Sequence, residues 1–442
     1  MSERPWHNWA RTVSCTPARV ARPESVAEIA ETIAGARRDG LAVRPRGSGH
    51  SFTPAAEAPG VAVDLFGWRG LESVERDTGL VTVRSGTTIR ELNAELDRHG
   101  LAMTNLGDID KQTISGAIST GTHGTGAQLG GLATQVAALE LVLADGSVVT
   151  CSAGERPDLF AAARVGLGAL GVISRVTLRC EPSFVLAAEE VPVPVDEVFE
   201  RFHEEAAAND HFEFYWFPGG GRTALVKRNN RLPLGAPARP LSRARQFVEY
   251  EMVENRLFNA VCAVGRAVPP LVGPITEVFS RTLSPRTYSD TSHRVFVTNR
   301  NVRFVESEYA VPRESIVDVL RELRARVPKL AHPVIFPAEV RVAAADDIWL
   351  STAYLRNSAY IAIHQYTGMP FVEYFRLFSS IVGEVGGRPH WGKMHLLDAE
   401  RLRERYPRFD DFLRVRSTVD PDGVFANPYT DRVLGPAKTL AA

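Results

Sequence analysis

Cysteine is scarce: the 442 residues hold four, at 15, 151, 180 and 262, and none forms a Cys-x-x-Cys pair. That spacing argues against a disulfide framework and against a zinc knuckle. No run of about 18 apolar residues occurs, so no helix is expected to cross a bilayer. The start, Met1-Ser-Glu-Arg-Pro-Trp6, has no apolar stretch behind a basic segment, so no secretory leader is expected and a cytoplasmic setting is. Neither sign of charge is in excess, with 51 Lys+Arg against 52 Asp+Glu, which excludes the overall basic surplus of a nucleic-acid binder. His123, His390 and His395 lack the carboxylate–histidine spacing of a metal site, and none is expected.

What is present is ordinary globular material: 44% hydrophobic and 23% charged, long enough for two or three domains. Ser25, with Glu28 three residues on, opens a helix that Gly40 stops. Flanked by strands at 20–22 and 41–46, it predicts a small βαβ unit running into Gly47-Ser48-Gly49-His50-Ser51-Phe52. Further strands are expected at 61–65, 80–84 and 172–180, a helix over 88–98, and a hairpin over 138–151 turned by Asp145-Gly146. Beyond Glu181-Pro182, strands at 212–217, 302–310, 334–342 and 359–366 alternate with helices near 313–326 and 371–384. This predicts a second α+β domain with helices on one face of its sheet. The stretch 218–245, rich in glycine, proline and arginine, reads as a mobile excursion, and the tail 435–442 as frayed.

Gly166-Leu-Gly-Ala-Leu-Gly171 matches a dinucleotide fingerprint letter for letter, but a helix precedes it and a strand follows, the reverse of the required order. Two other stretches suit a phosphate-bearing ligand better. Arg44 to Ser51 and Ser115 to Gly126 are rich in glycine and hydroxyls and nearly free of acids, which lets backbone N–H groups approach a pyrophosphate. Either alone reads equally well as a surface turn; together they favour a cofactor cradle.

Three motifs of this kind, Gly-Ser-Gly-His-Ser-Phe at 47–52, Ile-Ser-Gly-Ala-Ile-Ser-Thr-Gly-Thr-His-Gly-Thr-Gly at 114–126 and Leu-Gly-Ala-Leu-Gly-Val-Ile-Ser at 167–174, resemble the FAD domain of the vanillyl-alcohol-oxidase-type (PCMH-type) flavoproteins. Arg388-Pro-His-Trp-Gly-Lys393 and Asp420-Pro-Asp-Gly-Val-Phe425, leading to Asn427 and Tyr429, narrow the resemblance to the sugar-1,4-lactone oxidoreductases. These are the gulonolactone and arabinonolactone oxidases and dehydrogenases, and the chain most resembles the actinobacterial gulonolactone dehydrogenase type. The resemblance implies an α+β, two-lobed FAD domain over 1–182, a substrate (cap) domain over 183–393, and a C-terminal segment, 394–442, returning to the FAD domain.

It also implies roles. Arg46, Gly47, Ser48, Gly49, His50 and Ser51, with Ser115, Gly116, Ser119, Thr120, Gly121, Thr122, His123 and Gly124, would hold FAD. Gly107, Asp108, Gly171, Val172, Ile173 and Lys393 would complete its site. His50 stands where the family attaches FAD covalently. Lys393 and Arg341 would stabilise charge at the flavin and at the substrate oxygen, Glu339 would orient substrate hydroxyls, and His364 would line the pocket or assist proton removal. Strand alternation alone puts Glu339 and Arg341 on one face; without the resemblance they would read as a surface ion pair and Lys393 as a solvated lysine. Glycine at 107 leaves room for oxygen beside the flavin. The implied reaction is oxidation of an aldono-1,4-lactone at its C2 hydroxyl, toward ascorbate or its five-carbon analogue, with oxygen, a quinone or a cytochrome as acceptor. Peripheral membrane association is compatible with it. The alternatives are an alditol oxidase acting on xylitol or sorbitol, disfavoured by Ile89 and Gln365-Tyr366, and a redox-silent flavin- or lactone-binding protein.

Overall fold

The first helix, Val26–Arg38, capped by the Ser25 hydroxyl accepting the Glu28 N–H, buries Ile29, Ile33 and Ala36. In the computed structural model, which describes residues 5–281, 284–298 and 300–437, the strands on either side of that helix, Arg19–Ala21 and Val43–Arg46, do not pair with each other. Val61–Asp64 lies between them, parallel to both. Glu28 completes its half of the cap one residue early, accepting from the Glu24 N–H at 2.9 Å.

The second half of this lobe is a five-stranded antiparallel sheet ordered Val148–Ser152, Val136–Val142, Val172–Arg179, Leu80–Arg84 and Leu71–Glu75. The expected helix over 88–98 forms as Ile89–Arg98 with a complete Thr88/Glu91 capping box. Pro157–Ala163 precedes the Gly166–Gly171 stretch and Val172–Arg179 follows it, so the fingerprint match is the false one expected.

Apart from two pairs of two-residue strands, the remaining strands form one eight-stranded antiparallel sheet, in the order Arg286–Thr291, Val185–Pro194, Thr223–Arg231, His211–Trp216, Ala338–Ala343, Ser358–Tyr366, Phe304–Pro312 and Arg388–Pro389. Period-2 alternation divides it into two unlike faces. On one face Phe212, Phe214 and Trp216 meet Phe199 and Phe202 of helix Val195–Ala208, and Tyr309 meets Phe378 of helix Val372–Glu384 with ring centroids 5.5 Å apart. The opposite face carries charge. Arg286, Glu190, Lys227 and Glu213 are direct cross-strand partners on four successive strands, and Arg341 on the fifth continues the row, which alternates in sign. Arg286–Glu190 (2.5 Å), Lys227–Glu213 (3.6 Å) and Arg341–Glu213 (2.8 Å) are ion pairs. Such groups are buried only when paired, and here each strand supplies the counter-charge for the next.

The excursion expected over 218–245 is corrected by this sheet. Thr223–Arg231 is one of its interior strands, with Ala224 and Val226 in the helix-facing core and Lys227 in the charged row. Its polar letters concealed it because their partners come from strands distant in sequence. The chain then runs through helical segments Arg243–Gln246, Phe247–Leu257, Phe258–Ala267 and Val272–Arg281. Of the tail 435–442, residues 438–442 lie outside those described.

The segment after the last strand turns back onto the first lobe. The Val43 N–H donates to the Val424 carbonyl (2.7 Å), Arg44 donates to that of Phe425 (2.7 Å), and the Asn427 amide donates to Pro54 (3.1 Å) and Glu57 (2.9 Å).

Candidate active site

The charged face of the large sheet looks onto the glycine-rich loops of the first lobe, and two adjoining clefts lie there. The outer one is walled by Arg46, Gly47, Ser48 and Gly49 from the turn after Val43–Arg46, by Ser115, Gly116 and Ser119 from the 113–120 segment, and by Gly171 and Ile173. The inner one is walled by Gly107, Asp108, Thr122, His123, Glu339, Arg341, His364 and Lys393. His50, Ser51 and Thr120 line both. Gly121, Gly124 and Val172, expected at the cofactor, line neither; Val172 is buried in the apolar cluster beneath the first parallel sheet.

The outer cleft suits a pyrophosphate and its sugar chain. No carboxylate lines it, whereas two arginines and several hydroxyls do. The Gly47 backbone lies so close to Thr113 that an added Cβ would stand 2.2 Å from its Oγ1. Bare backbone at that turn is a steric requirement, and it leaves amides open to the cleft.

The inner cleft is electrically dense. Arg341 bonds Asp108 (2.8 Å), Glu213 (2.8 Å) and Glu339. Tyr215 donates to Glu339 (2.7 Å) and receives a bond from Arg300 (2.7 Å), which also pairs with Asp108 (2.6 Å). Asp108, expected to serve the cofactor, thus joins the first lobe to two arginines of the second. Burial alone would raise its pKa, but Arg341 and Arg300 hold it well below the usual carboxylate range. Burial pushes Glu339 upward despite Arg341.

Farther along the same face, Lys393 bonds Glu306 at 2.5 Å, and Glu306 faces His364 Nε2 at 3.5 Å. Glu308, next on that face, pairs with His123 at 3.1 Å, and the His123 ring lies over Tyr360, centroids 3.6 Å apart. Among the described residues His123, Glu308 and His390 come close enough to hold a cation, a proximity that sequence spacing does not disclose. His50 is stacked on Trp9 at 5.9 Å. Burial first, then Lys111 and Lys393, lower its pKa to about 4, so the imidazole is neutral near pH 7.

Sequence reasoning missed Glu306, Glu308, Glu213, Arg300 and Tyr215. A signal existed for two of them. Phe304, Glu306 and Glu308 alternate with Val305, Ser307 and Tyr309 within a strand that was legible, and acids on one face of an otherwise apolar strand mark either a solvated or a functional face. For Arg300 no local signal exists.

A cleft lined by glycines, hydroxyls and two arginines, joined to a charged one between two α+β lobes, fits the two-lobed FAD-binding type of fold. The FAD binding domain family matches residues 17–152, and the D-arabinono-1,4-lactone oxidase family matches residues 176–433. This chain belongs to the latter family. It is 43% identical to L-gulono-1,4-lactone dehydrogenase of Mycobacterium tuberculosis, over 98% of this chain and 99% of that one. L-gulonolactone oxidase of Mus musculus is 34% identical over 97% and 98%, and an alditol oxidase of a Streptomyces species 31% over the same shares. Cholesterol oxidase from Brevibacterium sterolicum superposes with a TM-score of 0.81 at 18% identity, over 98% of this chain and 96% of that one, a likeness of fold alone. Among the described residues no helix is long and apolar enough to cross a membrane.

Proposed function

We propose that this chain oxidises the C2 hydroxyl of an aldono-1,4-lactone, L-gulono- or D-arabinono-1,4-lactone, using FAD held between the 1–182 and 183–393 domains. Residues 394–437 of the C-terminal segment brace the first of these. The observation that carries the reading is the grouping of Glu339, Arg341, His364 and Lys393 on one sheet face, opposite the loop that presents His50. Bound FAD supplies the two-electron acceptor for the carbinol hydrogen. The protein supplies the rest. Arg341 and Lys393 place positive charge where the substrate oxygen and the acceptor gain negative charge, in a buried site where such charge acts strongly. Glu339, fixed by Tyr215 and Arg341, orients hydroxyls of the sugar ring. His364 takes up the hydroxyl proton.

His50 is proposed as the point of covalent attachment to FAD. Its neutral ring offers the free nitrogen lone pair that bond formation at the flavin's methyl carbon needs, and stacking on Trp9 holds the ring in place. At Gly107 an added Cβ would stand 2.9 Å from the His123 carbonyl oxygen, so two backbones approach there too closely for a side chain; oxygen is the acceptor this reading names. A cytoplasmic location, with contact to a membrane surface at most peripheral, accompanies this reading.

Anaerobic mixing of the purified holoenzyme with L-gulono-1,4-lactone, D-arabinono-1,4-lactone, xylitol and sorbitol tests it. Flavin bleaching is expected with a lactone, and colour should return on admitting air. Bleaching by the polyols alone would replace the lactone by an alditol, and no bleaching by any of them would reduce the protein to a binder. Acid precipitation tests the linkage: yellow colour should stay with the protein and leave it in His50→Ala.

A further inference from the structure

We propose that Glu306 is a positioning residue for the reaction, the carboxylate that leaves one nitrogen of His364 open to the substrate's proton and then holds that proton in place. The inference rests on the function proposed above. Glu306 stands directly opposite His364 in the pairing of Phe304–Pro312 with Ser358–Tyr366, and both are buried with their polar ends at the inner cleft. His364 Nδ1 lies 2.8 Å from the Pro337 carbonyl oxygen. A carbonyl only accepts, so Nδ1 carries the hydrogen, and in the neutral ring Nε2 carries the lone pair. That lone pair faces Glu306 Oε1 at 3.5 Å, a carboxylate with no proton to offer. The arrangement is poor for a resting imidazole and good for an imidazolium, because a proton on Nε2 turns the encounter into a charge-assisted contact.

The surroundings fix this geometry. Lys393 engages the other carboxylate oxygen at 2.5 Å, which orients the group and keeps it ionised. Phe304 and Phe336 enclose the His364 ring, with centroids 4.9 and 6.0 Å away. The other titratable groups on the cleft are Glu308 on the same strand, His390 ahead of Lys393, His50, Asp108, Asp110, Lys111 and His123 from the first lobe, Arg300, and Glu339 with Arg341 from the neighbouring strand. Lys393 and His364 are ion-pair partners of the Glu306 carboxylate. In the step itself, the C–H bond breaks and its hydride would go to bound FAD, the two-electron acceptor proposed above. The O–H bond breaks with its proton passing to His364 Nε2, and the C=O bond forms; the proton later leaves to solvent.

The test uses holoenzyme labelled with nitrogen-15 at histidine, in wild type, Glu306→Gln and Glu306→Asp, with His364→Gln to assign the resonance. The His364 ring should titrate lower in Glu306→Gln by about one pH unit or more, with Glu306→Asp between. The acid limb of the pH profile for anaerobic flavin reduction by L-gulono-1,4-lactone should move by the same amount. Equal midpoints in wild type and Glu306→Gln, or a reduced rate with an unmoved acid limb, would overturn the proposal and leave Glu306 a counter-ion of Lys393. Should Glu306→Gln fail to load FAD, wild type against Glu306→Asp makes the same comparison. A wild type that no lactone bleaches would refute the function while the histidine titration still reads the role of Glu306.

Discussion

The two faces of the eight-stranded sheet are built from the same strands yet obey opposite rules. The helix-facing side is held by area. Phe212, Phe214, Trp216, Val340, Ile361 and Tyr309 are buried against helices, and any apolar side chain of similar volume would serve. The cleft-facing side is held by pairing. Glu213, Glu339, Lys227 and Arg341 are tolerated there because each finds a counter-charge on the same sheet face, and Glu306 and Glu308 because Lys393 and His123 reach them from outside the sheet. A buried ion pair adds little net stability, but removing one partner strands the other. The first face therefore sets how stable the protein is, and the second sets what it can do at a cost in tolerance to change.

Substitutions can separate the two. The largest effect is expected on the apolar face: Phe214→Ala should cost about 3–5 kcal/mol in chemical unfolding while flavin reduction per mole of bound FAD stays at the wild-type rate. Lys393→Ala, on the charged face, should slow anaerobic flavin reduction per mole of bound FAD roughly 100-fold or more, while stranding Glu306 lowers the thermal midpoint by less than Phe214→Ala does. Equal losses of rate from both variants would erase the distinction.

Acid should strain the cleft side next. His50 and His390 are held neutral, with pKa values lowered to about 4 chiefly by burial, and His395, lowered to about 3 for the same reason, is buried within the C-terminal segment beside Tyr429. The folded state then binds fewer protons than the unfolded chain between the ordinary histidine value and about pH 4, so stability falls as pH falls through that window. Thermal midpoints measured from pH 7 to pH 4.5 should decline, and His390→Gln should flatten the slope. The smallest effect is expected away from the sheet. Thr88→Ala removes a capping box and should cost about 1 kcal/mol with no change in the rate of flavin reduction.

Much of this was legible in the letters, for reasons that differ by region. The Ser25 and Thr88 helix starts, the turn at Asp145-Gly146 and the strand 302–310 announce themselves through local chemistry, so they formed within a residue or two of expectation. Glu339 and Arg341 share a face because strand geometry allows nothing else, and their ion pair confirms it. The strand Thr223–Arg231 was not legible. Lys-Arg-Asn-Asn-Arg reads as surface until Glu213 and Glu190 are placed beside Lys227 by pairings 14 and 37 residues away. Arg300 shows the same limit at a single site, since only folding brings it to Asp108.

By itself, then, the sequence determined the elements with local causes and the glycine and hydroxyl loops fit for a phosphate-bearing cofactor. A turn, a cap or a bare backbone is decided by neighbours a few residues apart. Which charges would be buried, and with whom, was decided only by tertiary structure, because the energy of a charge inside a protein belongs to its partner and its surroundings, and for Glu306, Asp108 and Lys227 those arrive from distant parts of the chain.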